Sequence, residues 1–331
     1  MLDRPLRVAA TQMKAEVGNV PGNLAKAEAL ASEAFDRGAE WVILPEFFTS
    51  AMAFHSKMLE AARPFDGEPL QLIVSLAKQH SGVVGGSFIA TRRDNAYNTF
   101  ALAFPDGSVT FHDKDQPTMW ENCYYIGGRD DGVLDTPAGP VGAALCWEMI
   151  RTRTARRLLG KVNLVVAGSC WWDLPDDASP HREPLRARNL ALLTETPARL
   201  ARILAVPIIH ASHCGEFEGR VLRDFAIHEE QVYKSRYLGE AQIVDGHGTL
   251  LARRTREEGE GVIIAQITPG PVDADRDPIP DRFWIPELWE PLLRAWEKEN
   301  ALGQYYYQKL HPARRYLKSI IERESGTGHE Q

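Results

Sequence analysis

The chain has 331 residues, 44% of them hydrophobic and 25% charged, with a formal net charge of −7. This composition supports a globular core rather than a disordered chain, and a negative balance without a basic stripe excludes a surface built for nucleic acid or anionic lipid. Four cysteines are too sparse for a disulfide scaffold in so long a chain, so reduced thiols are expected.

Met1-Leu2-Asp3-Arg4-Pro5 leads directly into an apolar pattern without a charged leader and cleavage site, and no apolar run reaches the ~20 residues of a membrane span. A cytoplasmic protein without a membrane partner is expected. Leu6–Thr11 reads as a strand, and Leu24, Ala27, Leu30, Ala31 and Ala34 repeat at helical spacing across 23–37, where Gly38 stops the helix. A short strand, 41–44, ends at Pro45-Glu46. Helix 70–80 and strand 83–90 follow, the latter containing Gly85-Gly86. Strands 97–104 and 109–112 flank Pro105-Asp106-Gly107-Ser108, a hairpin turn. Strand 141–145, helix 152–159, strand 163–167, helix 185–204 and strand 206–211 come next, then a second hairpin over 241–253 around Asp245-Gly246 and a strand at 262–267. Strand–helix units mixed with antiparallel hairpins predict an α/β fold in which helices cover sheets packed together. No linker or repeat divides this region, so residues 1–270 are read as one domain. Residues 271–331 are rich in Pro and then in aromatics, including Trp284, Trp289, Trp296 and Tyr305-Tyr306-Tyr307. They are read as an extension that packs on a neighbouring surface or subunit.

The chemistry-bearing residues lie at strand ends. Cys146 closes the apolar run 141–145 and opens onto a helix-like stretch, whose N–H groups and dipole would favour a thiolate; taken alone, a cysteine after an apolar strand is more often an inert core residue. Glu46 stands between Pro45 and Phe47-Phe48, a poorly solvated setting that raises a carboxyl toward the range of a general base, although a solvated strand-end Glu is the plainer reading. Lys114, between Asp113 and Asp115, reads in isolation as a surface charge. Glu121, seven residues on among aromatics, needs a cationic or donor partner, and Lys114 is the nearest candidate.

In that order, Leu44-Pro45-Glu46, then Lys114 with Pro117-Thr118 and Glu121, then Cys146-Trp147-Glu148, the chain resembles the nitrilase superfamily of carbon–nitrogen hydrolases. Ala9-Ala10-Thr11-Gln12, Tyr97-Asn98-Thr99, Gly127-Gly128 and Asp245-Gly246-His247-Gly248 agree, and the resemblance covers about residues 5–270. It implies a four-layer αββα sandwich of two mixed sheets covered by helices, and a homodimer or higher homo-oligomer. It also implies Cys146 as nucleophile, Glu46 as general base, Lys114 as the cation at the developing oxyanion and Glu121 as the residue orienting Lys114 or water. The Trp147 N–H is then the second oxyanion donor. The implied substrate is a small nitrile or amide, cleaved through a thioester without cofactor. Cys146-Trp147-Glu148 is the form usual in the nitrilase branch proper, whereas Met149-Ile150-Arg151 does not continue in that branch's usual way. After strand 206–211 this chain has His210-Ala211-Ser212-His213-Cys214, where the family often places an Asn. An amidase or N-carbamoyl amide hydrolase, a soluble acyltransferase and a non-catalytic homologue stay open.

Trp120, Trp147 and Trp171-Trp172 are candidates to line the acyl pocket, since aromatics form apolar walls, and burial without function is their other reading. Arg182, Arg186 and Arg188 on one helix read as a solvated charged face that an acidic substrate could alternatively use. His210, His213, Cys214, Cys170 and His181 lack the spacing of paired Cys-x-x-Cys or helical His ligands, so no metal is expected.

Overall fold

A computed structural model of the chain describes residues 4–309, apart from 94, 138, 177–181 and 224–225. Its first half contains β1 (Leu6–Met13), α1 (Val20–Asp36), β2 (Trp41–Ile43), β3 (Arg63–Pro64), α2 (Glu68–His80), β4 (Val83–Arg92), β5 (Asn95–Ala103) and β6 (Val109–Asp113). The second half contains β7 (Val133–Leu134), β8 (Val141–Leu145), α3 (Thr152–Leu158), β9 (Leu164–Ser169), α4 (Glu183–Leu204), β10 (Ile208–Arg223), β11 (Ala226–Leu238), β12 (Ala241–Val244), β13 (Leu250–Arg254), β14 (Gly261–Ile267) and α5 (Glu290–Lys309). None of the described helices is long and apolar enough to cross a membrane.

Two mixed sheets result. In one, the order is β6-β5-β4-β2-β1, with β14 antiparallel on β1. In the other, it is β7-β8-β9-β10, with β12 and β13 beyond β10. Alternate residues explain how the sheets stack. Leu6, Val8, Ala10, Ile43, Val141, Leu145, Val166 and Ile209 meet in a core between the sheets. The opposite face of β1 packs Ala9 and Met13 against Ala27, Leu30 and Ala31 of α1. Ala144, Val165 and Ala167 of the second sheet face Leu158 of α3 and Leu200 and Leu204 of α4. This is the expected αββα layering. The sheets are also joined, because β1 pairs in parallel with β10 at Gln12↔Ser212 and Met13↔His213.

Several boundaries differ from the sequence pattern. Helix α1 begins at Val20 because Asn19 caps it, its side chain accepting from the Gly22 N–H, while Asn23 turns inward to the Thr49 carbonyl. Strand β10 does not end at Ala211 but continues to Arg223 and forms a long hairpin with β11, which the pattern does not predict. Its polar positions set opposite charges across the ribbon, with Glu216 opposite Arg236 and Glu218 opposite Lys234. Beyond β14, residues 284–309 pack on their own chain: Arg151 bridges to Trp284, α5 lies on the turn Met119–Cys123, and Tyr306 and Tyr307 are buried. Residues 310–331 of the expected extension lie outside the described residues.

Candidate active site

The four acid, base and thiol candidates converge where strands of both sheets end. Glu46 follows β2, Lys114 follows β6 and Cys146 follows β8, while Glu121 sits on the 3-10 turn after Lys114. The chain bends sharply at these places. Phe47, Met119 and Cys146 all have left-handed backbones, with φ of 53°, 54° and 52°. Such geometry strains a residue with a Cβ and persists only where surrounding packing enforces it.

Lys114 joins the two carboxylates. Its Nζ donates to Glu46 Oε1 and to Glu121 Oε2, both at 2.8 Å, and none of the three side chains reaches solvent. Glu46 is held further by Asn98 Nδ2 at 2.9 Å on Oε1 and by the Cys170 backbone N–H at 3.0 Å on Oε2. Glu121 also accepts from the Thr118 N–H at 2.9 Å and from the Tyr125 hydroxyl. Asn98 Oδ1 and Glu121 Oε1 are buried acceptors without a protein donor.

Burial dominates the protonation states. It pushes the Glu46 carboxyl up to about 7, with Lys114 opposing and Glu121 adding to the rise. Burial lowers the Lys114 ammonium, but Glu121 and Glu46 outweigh it and the pKa is raised, so Lys114 is a permanent cation. Burial also drives the Cys146 thiol well above its ordinary range; Glu46 adds to this, while Lys114 and the adjoining Trp147 N–H oppose it. The expected helix dipole at Cys146 is missing. Residues Cys146–Ile150 form one 3-10 turn and α3 starts only at Thr152, so the resting sulfur is a neutral thiol.

Residues that the sequence pattern does not reveal hold this arrangement. Glu148 is fully buried below Cys146, with Oε2 accepting from the Leu145 N–H at 2.8 Å and Oε1 from the Asp115 N–H at 2.9 Å and Arg157 Nη2 at 2.7 Å. His112, also fully buried, contacts Glu148 Oε2 through Nε2 at 3.1 Å and Asp130 through Nδ1. Arg151 donates to Asp115 Oδ1 at 2.6 Å. The Lys114 loop and the Cys146 turn are thus tied by one buried ionic network. Only Glu148 stands out in the sequence, as the acid two residues after the cysteine.

A cavity of about 120 Å³ opens onto Cys146. Trp120, Trp147 and Trp171 line it, and so do Trp172 and Trp289. Arg186 and Arg188 lie outside it: Arg186 pairs with Asp176 at 3.3 Å, and Arg188 stacks on Trp289 with 5.0 Å to the ring centroid. The histidines after β10 are engaged in the core. His210 Nε2 meets Ser169 Oγ at 2.8 Å, and His213 Nε2 meets the Glu46 carbonyl at 2.8 Å. Burial lowers both imidazoles to about 4. His213 therefore supports the Glu46 bend from behind. His181, the other histidine of that set, lies outside the described residues.

A family model described as "Carbon-nitrogen hydrolase" matches residues 7–277. A nitrilase of Pyrococcus abyssi is 26% identical over 232 residues, which cover 69% of this chain and 87% of that protein. An N-carbamoylputrescine amidase of Solanum lycopersicum is 29% identical over 167 residues, 47% of this chain and 55% of the relative, so the matched part spans about half of that protein's length. Among solved structures, a carbon–nitrogen hydrolase from Helicobacter pylori G27 has the same fold with a TM-score of 0.66 at 18% identity, covering 96% of this chain and 99% of that one.

Proposed function

Since the chain belongs to the carbon–nitrogen hydrolase family, we propose that it hydrolyses a non-peptide carbon–nitrogen bond of a small amide or nitrile through a thioester on Cys146. One observation carries the reading: Lys114 lies 2.8 Å from each of two solvent-free carboxylates and within electrostatic reach of the Cys146 sulfur.

The Glu46 carboxylate takes the proton of the neutral thiol as sulfur attacks the substrate carbon. Negative charge develops on the carbonyl oxygen or nitrile nitrogen. Lys114, already charged and fixed, and the Trp147 N–H stabilise it in a site where water cannot screen them. Collapse of the tetrahedral adduct returns the proton from Glu46 to the leaving nitrogen, releasing ammonia or an amine and leaving an acyl thioester. Glu46 then takes a proton from water as it attacks the thioester; the acid departs and the thiol is restored. A nitrile first gives a thioimidate, which water converts to the same thioester with loss of ammonia. Glu121 keeps Lys114 aimed by holding its second hydrogen bond.

Glu148 makes no contact with the cavity, being spent on backbone N–H groups, Arg157 and His112. It does not itself select nitriles over amides, and the relatives bear both kinds of name. Ammonia release is to be measured across a panel of amides, N-carbamoyl amines and nitriles, with wild type and Cys146→Ala. Turnover confined to wild type is expected; equal release by both proteins would falsify the nucleophile assignment.

A further inference from the structure

The cavity in front of Cys146 has an unusual wall. Five tryptophans, Trp120, Trp147, Trp171, Trp172 and Trp289, line it, and besides Cys146 the carboxyls of Asp173 and Glu299 are the ionisable groups among its described lining residues, none of which is Lys or Arg. Asp173 is engaged, its Oδ1 accepting from the Leu174 N–H at 2.8 Å and its Oδ2 lying 3.9 Å from Arg256. Glu299, from the inner side of α5, is not. Glu299 is half-buried, but its Oε2 is sealed from solvent and has no hydrogen-bond partner among the described residues, and burial pushes the carboxyl up to about 7, with the neighbouring Lys298 opposing. Two donors nearby are equally unspent. Trp120 Nε1 and the Tyr233 hydroxyl are buried without partners, and Trp120 stacks on Trp172 with centroids 4.5 Å apart and lies against Tyr233 at 6.0 Å.

A buried carboxylate without a counter-ion costs free energy unless a ligand supplies the charge, and indole faces are the most favourable aromatic surface for a cation. A carboxyl at the end of a tryptophan-walled cleft meets both conditions. We propose that this cleft selects substrates with a positively charged far end, an ammonium or similar cation seated between Glu299 and the rings of Trp120 and Trp172, with the scissile carbon–nitrogen bond at Cys146. This rests on Cys146 being the acyl-accepting nucleophile. The competing occupant is an anionic end. Beyond Trp120 and Glu299 the cleft meets a wider groove where Arg182, Arg220 and Lys234 lie, and Arg220 Nη1 has no partner. Lys234 faces Glu218 at 3.5 Å, and Arg220 stands on the outer hairpin, whereas Glu299 borders both the cleft of Cys146 and this groove. A chain extending from Cys146 meets the acid at the cleft's own wall.

The test is calorimetric titration of the Cys146→Ala protein with three straight-chain primary amides of matched length, ending in an ammonium, a methyl or a carboxylate. The ammonium compound is expected to bind roughly 10- to 100-fold more tightly than the methyl one, the range of a charge-assisted hydrogen bond with a cation–π contact. Glu299→Gln in the same background is expected to remove most of that preference. Equal binding of ammonium and methyl ends, no binding of any of the three, or preference for the carboxylate overturns the proposal; the last assigns the far end to Arg220. A preference that survives Glu299→Gln overturns the role of Glu299. The parent comparison stands even if the Glu299 variant misfolds. Ammonia release by the protein retaining Cys146 is read separately: a cation preference without release counts against the nucleophile reading and leaves the cation site at Glu299 in place.

Discussion

Glu46 and Lys114, 68 residues apart in the chain, face each other at 2.8 Å with neither side chain touching solvent. The pair sets the pH dependence of turnover. The proposed mechanism needs the Glu46 carboxylate together with a protonated Cys146, and burial places the Glu46 carboxyl at about 7 and the thiol well above its ordinary range. The rate is therefore expected to rise with pH through about 7. Glu46→Gln is expected to lower it by roughly 10²- to 10⁴-fold, the scale of general acid–base catalysis, and to abolish the ascending limb. A limb unchanged in that variant would assign the titration elsewhere.

Lys114→Met removes the cation that bridges Glu46 and Glu121. Two buried carboxylates left without it are expected to cost about 3–5 kcal/mol of stability in urea unfolding. Adding Glu121→Gln is expected to restore part of that loss, because one of the two uncompensated charges disappears. Strict additivity of the two changes would show that Glu121 is not coupled to Lys114.

The His112–Glu148 pair predicts a pH-dependent contribution to stability. Burial lowers the His112 pKa, but Glu148 and Asp130 outweigh it and raise the imidazole to about 10 from its ordinary 6.5. A folded pKa above the unfolded one stabilises fully below about 6.5, and the contribution fades as pH rises through about 10. The gap in stability between wild type and His112→Gln is expected to be about 3–5 kcal/mol near pH 6 and to shrink toward pH 10. Thermal unfolding across that range measures it, and a gap independent of pH rules out a charged pair.

Gly168→Ala tests the contact between the two sheets. A Cβ at Gly168 would stand 2.5 Å from the Glu46 backbone nitrogen and 3.0 Å from the Pro45 carbonyl carbon. Since backbone must move to admit it, a loss of about 1–3 kcal/mol is expected, with kcat falling more than KM rises because Glu46 is displaced. Wild-type kcat in a folded variant contradicts this geometry.

Asn300→Ala tests how α5 fastens to the site. Asn300 Oδ1 accepts from the Met119 N–H at 2.7 Å and from Asn122 Nδ2 at 2.9 Å. Removing it strands a buried N–H beside Trp120, for an expected cost of about 1–3 kcal/mol and faster hydrogen exchange at the Met119 amide. Unaltered exchange there shows that α5 is fastened by other contacts.

The legible parts of the fold are those whose burial is written in side chains. Val141–Leu145 is apolar at every position because both its faces are covered, and its ends agree residue for residue with β8. The hairpin of β10 and β11 is not legible as a strand pair because charged positions alternate through it and pair only across the strands, Glu216 with Arg236 and Glu218 with Lys234. Cys146 and Glu46 could be picked out because each stands just beyond an apolar strand, whereas Lys114, after the mixed strand Val109–Asp113, stood out only through its order with the other two. Their meeting could not, since it depends on two sheets stacking. The Cys170 N–H that holds Glu46 is invisible for another reason, as any residue except proline supplies that donor. The tryptophans of the cleft were legible as aromatics, but Glu299, in an extension read as a packing element, was not.

Glu46 and Lys114 hang from one sheet, whereas Cys146 and the Cys170 N–H hang from the other, and the hydrogen-bonded seam between β1 and β10 is two residue pairs long. Turnover on this enzyme is therefore a gauge of how the two halves are spaced. On the proposed mechanism, compression, a core cavity or a bulky side chain between the sheets is expected to act on rate through the gap from Glu46 to the Cys146 sulfur before the fold itself is lost.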